Sequence, residues 1–280
     1  MNPSLEQILN AIKNSGYLFE QEVGSIFEKG GFNIKTNVAF KDEDEDKSRE
    51  IDVMAFRRQY YNEEKKISVT IRILCECKNN MHLFIFICRN KSISDASYEP
   101  PNFQFPLDEY KTQVDGKPNS YRISGGFNYF RLNRYFPFHQ MDYKAVQFCK
   151  MVRKGSEWSA QHEGIYDSIL LPLIKCLEYY KKYNGEYKNS GGWKHYSIYF
   201  PVVVLNAELY TIKSHISSTN IETTPCISYL RDIHSKKIKG TYLIDFVNVN
   251  ELSVYFENVF EFLNEFITVV LAEDSLRISK

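Results

Sequence analysis

The sequence predicts a single α/β domain. Three observations carry that prediction: apolar residues recur at helical spacing at both ends of the chain, β-branched runs of strand length lie between them, and no repeat or Gly/Ser linker divides the 280 residues. Ser4 to Glu28 reads as helix, with Leu5, Ile8, Leu9 and Ile12 on one stripe and Phe19, Val23, Ile26 and Phe27 on another after Gly16; Gly30-Gly31 stops it. Phe32 to Phe40 reads as a strand. Asp42 to Asp46, five acids in a row, reads as a solvated loop. Glu50 to Arg57 alternates, with Ile51, Val53 and Ala55 on one face and Glu50, Asp52 and Met54 on the other.

Ile67 to Lys78 and the apolar run His82 to Cys88 read as the next strands. Residues 89–156 are punctuated by Pro100-Pro101, Pro106, Gly116, Pro118, Gly125-Gly126 and Pro137. Such spacing suits loops and short elements, so this stretch is expected as an insertion whose Tyr and Phe pack back on a core formed by 4–88 and 157–271. Glu157 to Tyr183 is expected as helix, kinked or broken at Pro172. Tyr196 to Leu205 has the continuous apolar run of a central buried strand. Leu209–Ile212, Ile227–Arg231 and Ile238–Val249 read as further strands, and Glu251 to Leu271 as a closing amphipathic helix.

Composition narrows the function. Lys and Arg number 35, as do Asp and Glu, so a polycation held on nucleic acid by bulk charge is excluded, while a local basic groove is not. Aromatic residues make up 15% of the chain, which excludes disorder over most of its length. The polar N-terminus and the shortness of the apolar runs point away from a targeting or membrane segment. Six cysteines without a CxxC pair point to reduced core thiols and a cytoplasmic location rather than a zinc site or disulfides.

One group of charged residues stands apart. The strand 67–78 is apolar up to Cys75, then places Glu76 and Lys78 two apart, on one face, with Cys75 and Cys77 on the other. The neighbouring strand carries Asp52 among apolar residues. Burying these charges costs several kcal/mol unless each finds a partner, and a divalent cation suits the two carboxylates. A Glu and a Lys near a strand end are commonly ordinary solvent-facing residues; what singles these out is their order, a helix with an acid, a strand with Asp, then a strand with E-x-K.

That order resembles the PD-(D/E)xK superfamily of restriction-endonuclease-like nucleases, nearest to its Mrr-like and resolvase-like branches. The matching residues are Gly16-Tyr-Leu-Phe-Glu20, Glu50-Ile-Asp52-Val-Met-Ala and Cys75-Glu76-Cys-Lys78. The resemblance covers residues 16 to 78, and more loosely 157 to 205; Ile51 stands where the family usually has Pro. It implies a restriction-endonuclease-like core, a central mixed β-sheet flanked by helices. Asp52, Glu76 and the Cys77 backbone carbonyl would hold Mg2+, with Mn2+ a possible substitute. Lys78 would orient or help deprotonate the attacking water. Glu20, rather than Glu22, would complete the site from the helix, because it borders the stripe facing the sheet. Glu50 is a secondary ligand or a strand-start charge, and Gln161 matches the helix Gln that follows E-x-K in relatives or is a plain exposed residue.

The expected activity is that of a Mg-dependent endonuclease acting on DNA, of restriction or anti-phage defence type, working as a homodimer or within a defence complex. Arg131, Arg134, Lys144, Lys150, Arg153 and Lys154, in the aromatic segment, offer a nucleic-acid surface or simply a polar cover on the sheet. An RNase of the same fold, or a catalytically silent binding subunit, are the alternatives.

Overall fold

The chain starts with two helices where periodicity predicts one. The structure, a computed structural model, describes residues 2–79, 82–117, 119–215 and 218–278. Helices α1 (Leu5–Ser15) and α2 (Tyr17–Lys29) part at Gly16, whose φ of 89° lies in the left-handed region open to glycine. Ser4 and Gln7 cap α1 reciprocally. Helix α1 buries none of its residues, whereas α2 buries Phe19, Val23, Gly24 and Phe27. The core-facing stripe therefore belongs to α2 alone.

Strands β1 (Asn33–Asp42), β2 (Lys47–Asn62) and β3 (Ile67–Lys78) follow as an antiparallel run, and β4 (Phe84–Asn90) opens a second arm of the sheet. The expected insertion begins with α3 (Ile93–Ala96), β5 (Phe103–Gln104), the hairpin of β6 (Tyr110–Gln113) and β7 (Tyr121–Ser124), α4 (Gly126–Tyr129) and α5 (Pro137–Gln140). It ends differently: β8 (Tyr143–Lys154) is a strand of the main sheet, antiparallel to β4.

Residues 157–161, expected to open a helix, instead form β9 (Glu157–Gln161), folded back on β8 across a turn in which Gly155 has a φ of 64°. A π-helical turn at Tyr166–Leu170 leads into α6 (Leu171–Gly185). Pro172 stands just after that π-helical turn, so the break expected there is a change from π to α hydrogen bonding where Pro withholds its N–H. The remaining elements are β10 (Lys194–Leu205), β11 (Leu209–His215), β12 (Ser218–Thr224), β13 (Cys226–His234), β14 (Lys239–Asn248) and α7 (Leu252–Ile278).

Together they make a mixed α/β fold on one large sheet, in the order β1-β2-β3-β10-β14-β13-β8-β4-β11-β12, with β5 added on β10 and β9 on β8. β10 runs parallel to both β3 and β14 at its centre, and every residue from Tyr196 to Leu205 is buried. One face packs α2, α7 and the aromatic residues of 98–138, among them Phe103, Phe130 and Phe136; the other packs α6. The aromatic excess thus fills the core, with Phe136 and Phe262 edge to face at 5.2 Å.

The acidic run is the plainest departure from expectation. Asp42 is buried at 1% exposure, and Lys175, itself buried on α6, reaches its Oδ2 at 2.8 Å and Glu45 Oε1 at 3.0 Å. Arg49 also pairs with Asp42, and Lys182 with Glu43. A lysine on the core side of a helix needs such partners, so the loop docks on α6 instead of standing free in solvent. Among the described residues, no helix is long and apolar enough to cross a membrane.

Candidate active site

Where β2 separates from β3, the backbone ladder gives way to a side chain. Paired residues between the two strands run to Val53 and Cys75 and stop there. The next available donor on β3, the N–H of the nearly buried Cys77, goes to Asp52 Oδ2 at 2.7 Å. The carboxylate thereby replaces a backbone carbonyl, satisfying a donor that burial would otherwise leave unpaired.

The separation has a cause in β1. Asn37 has a φ of 51°, and the β1–β2 pairs Thr36–Val53 and Val38–Ile51 bracket it against Asp52 while the two residues themselves form no ladder pair. Both strands change face at this point. Ile34, Val53 and Ala55 pack with α2 and α7, whereas Val38, Phe40 and Ile51 pack on the α6 side. Ile51 therefore does not share a face with Val53, as simple alternation predicts. Asp52 lies at the switch, which leaves it partly exposed between two buried neighbours.

β3 keeps its expected parity. Cys75 and Cys77 face the α2/α7 core with their Sγ atoms 3.8 Å apart, and Glu76 lies on the face of Leu74, on the α6 side. Glu76 is 5% exposed. Burial pushes its carboxyl pKa up to about 7; the charge of Lys78 opposes the rise and the nearby Asp52 carboxylate adds to it. Lys78 Nζ donates to Glu76 Oε2 at 3.0 Å. Burial works against the charge on Lys78, but Glu76 and Asp52 outweigh it and hold its pKa above the ordinary lysine value. This ammonium stays protonated beside the two carboxyls.

Glu20 approaches from α2 and is half-buried, while Glu22 is exposed. Burial, then the Asp52 carboxylate, raise the Glu20 pKa; a hydrogen bond with Asn37 and the charge of Lys78 oppose them. The structure thus brings Glu20, Asp52, Glu76 and Lys78 within electrostatic reach of one another, linked through Asp52. Glu50 is exposed on β2. Gln161 lies on β9, separated from β3 by β10, β14, β13 and β8, and begins no helix. At Cys77 it is the N–H that meets a carboxylate.

Asn37 joins this group unforeseen by the sequence reading. Its signal was available: Asn is among the few residues that enter the left-handed region readily, and here it interrupts a strand-like run.

Among the described residues, no group of three or more His, Cys, Asp or Glu side chains is arranged to hold a metal ion. The donor chemistry still fits Mg2+, which keeps several waters and is commonly held through only one or two carboxylates together with substrate phosphate. Asp52 and Glu76 supply two hard-oxygen donors whose mutual repulsion a cation would relieve. Comparison with protein-family models, with curated proteins and with solved structures gives no match to this chain.

Proposed function

We propose that the protein is a metal-dependent nuclease that hydrolyses DNA phosphodiester bonds as an endonuclease on a restriction-endonuclease-like core. The observation that carries this reading is the Asp52 carboxylate held on the Cys77 N–H, one residue from Glu76, with the Lys78 ammonium on Glu76 Oε2. Two acids and a lysine are what in-line attack on a phosphodiester asks of a protein: sites for a cation, and a fixed positive charge beside the reacting phosphate. Asp52 and Glu76 would hold Mg2+, or Mn2+ in its place, and Glu20 would add a contact through water. When bound, such an ion polarises the phosphoryl oxygen and lowers the pKa of a coordinated water.

Lys78 offsets charge developing on the phosphate and orients the attacking water. The Cys77 N–H fixes the orientation of Asp52, so that one carboxylate oxygen is committed to the backbone and the other remains for a ligand. Asn37 favours the charged form of Glu20. A cytoplasmic role in defence against foreign DNA, as a homodimer or within a complex, rests on the resemblance to restriction-type nucleases.

The test is Mg2+-dependent cleavage of linear and supercoiled DNA, with EDTA as the control and with Lys78→Ala and Asp52→Ala variants. Loss of cleavage in both variants, with folding retained, supports the site; cleavage unchanged in both overturns it. A parallel RNA substrate separates DNase from RNase. Calorimetry showing neither Mg2+ nor Mn2+ binding would favour a silent nuclease-fold binding subunit instead.

A further inference from the structure

A second carboxylate occupies the middle of the sheet, on the face opposite Glu76. Asp245 lies on β14 in register with Ser228 of β13. Its Oδ1 accepts from the Ser228 hydroxyl at 2.6 Å and its Oδ2 from the Tyr255 hydroxyl of α7 at 2.8 Å. Both partners are neutral. Among the described residues, no Lys, Arg or His forms an ion pair with it, and burial raises its pKa against the help of those two hydroxyls. Leu243 and Val247, on the same face of β14, are plain core residues. An apolar residue at 245 would avoid the cost of burying a charge without a counter-ion.

Asp245 lines a cavity of about 520 Å3 between α5, β13, β14 and α7. That volume lies within the range of small-molecule sites, which are largely apolar with a few convergent polar groups. Phe136, Phe138, Phe200 and Phe262, each at most 3% exposed, lie beneath its floor, and Glu261 and Glu265 add negative charge at the lining against Arg134 alone. The excess of carboxylates favours a cation. Among the described residues, no three carboxylates are arranged here to hold a metal ion.

We propose that this cavity binds a small organic cation, an amine carried on an apolar body of about one or two rings, with its ammonium on Asp245. Each carboxylate oxygen accepts one hydroxyl here and keeps a further lone pair for the ligand. The apolar part of the lining, Pro137 and Met141 among it, takes the apolar body. The site uses none of the proposed nuclease residues, so either reading can fail without the other.

The test titrates the full-length protein by calorimetry and thermal shift with benzylamine, 2-phenylethylamine and tryptamine. Each amine is paired with its neutral alcohol or hydrocarbon counterpart, and 3-phenylpropanoate serves as an anion. At least one amine is expected to bind and raise Tm, with its neutral counterpart weaker by about tenfold or more, about 1.4 kcal/mol, and the anion inactive. In Asp245→Asn, which keeps the shape of the side chain, that preference should fall to about twofold or less.

Neutral counterparts binding as tightly as the amines would overturn the proposal, as would failure of every amine to bind. An unchanged preference in Asp245→Asn would do the same. The comparison within the unaltered protein stands even if the variant does not fold.

Discussion

Asn37 faces Asp52 across β1 and β2 in a left-handed backbone conformation, and the two strands change faces at that pair. The conformation is open to Asn and Gly but costs a β-branched residue about 1–2 kcal/mol. Asn37→Gly should therefore leave the urea midpoint within about 1 kcal/mol of the parent, whereas Asn37→Val should lose about 2 kcal/mol. Both variants remove the Asn37 amide, which favours the charged form of Glu20, so under the nuclease reading both should cleave more slowly. A Val variant as stable as the Gly variant would show that the face switch does not depend on Asn37.

The hydrogen bond from the Cys77 N–H to Asp52 separates a structural role from a chemical one. Asp52→Ala leaves a nearly buried N–H without its acceptor and should cost about 1–3 kcal/mol. Asp52→Asn retains an acceptor and should cost less than about 1 kcal/mol. For Mg2+ binding by calorimetry the two variants should be alike, since both lose the charge. Chemical denaturation beside calorimetry reads both quantities. Equal stability loss in the two variants would mean that the charge of Asp52, not its hydrogen bond, supports the fold.

Net charge bears on the proposed substrate. With 35 basic and 35 acidic residues, the chain has no excess positive charge to hold DNA from a distance. Affinity should be modest and should come from a few phosphate contacts, each adding about one unit to the slope of log affinity against log salt. Fluorescence anisotropy on labelled duplex DNA between low and physiological salt measures that slope. A flat response would argue against phosphate contacts altogether.

Elements buried on both faces were legible from the sequence. β10 is apolar from Tyr196 to Leu205 save Ser197, β3 is rich in β-branched residues despite Ser68, Thr70 and Arg72, and period two placed Glu76 and Lys78 on one face as the structure has them. Elements whose partners are distant in the chain were not. Residues 143–154 carry no strong alternation because β8 is half-buried along most of its length, so its place in the sheet rests on pairing with β4. β9 alternates over only five residues, Glu157–Gln161, too short a run to separate it from the helix expected over 157–183, and its place rests on the hairpin with β8. The face of Ile51 could not be read from alternation, because a single left-handed residue on another strand inverts it. The acidic run looked solvated because its lysine partner lies 133 residues away from Asp42.

That lysine gives the fold an acid-sensitive joint. Burial pushes the Asp42 pKa up, but Lys175, Arg49 and the Asp44 N–H outweigh it and hold it down at about 2. A carboxyl whose folded value lies below its ordinary 3.8 stabilises the fold fully above that value and loses the contribution as pH falls toward about 2. Glu45, held down first by Lys47 and then by Lys175 and Arg49, is more exposed, so solvent screens its share. Lys175→Met removes the buried cation while filling most of its volume, leaving Asp42 with Arg49 alone. It should cost about 3 kcal/mol at neutral pH. The Asp42 pKa should then lie closer to its ordinary value, so the variant should also lose less stability than the parent between pH 3.8 and about 2. Urea denaturation at a series of pH values measures both effects. Parallel stability curves for variant and parent across that window would show that Lys175 is not what holds Asp42 ionised.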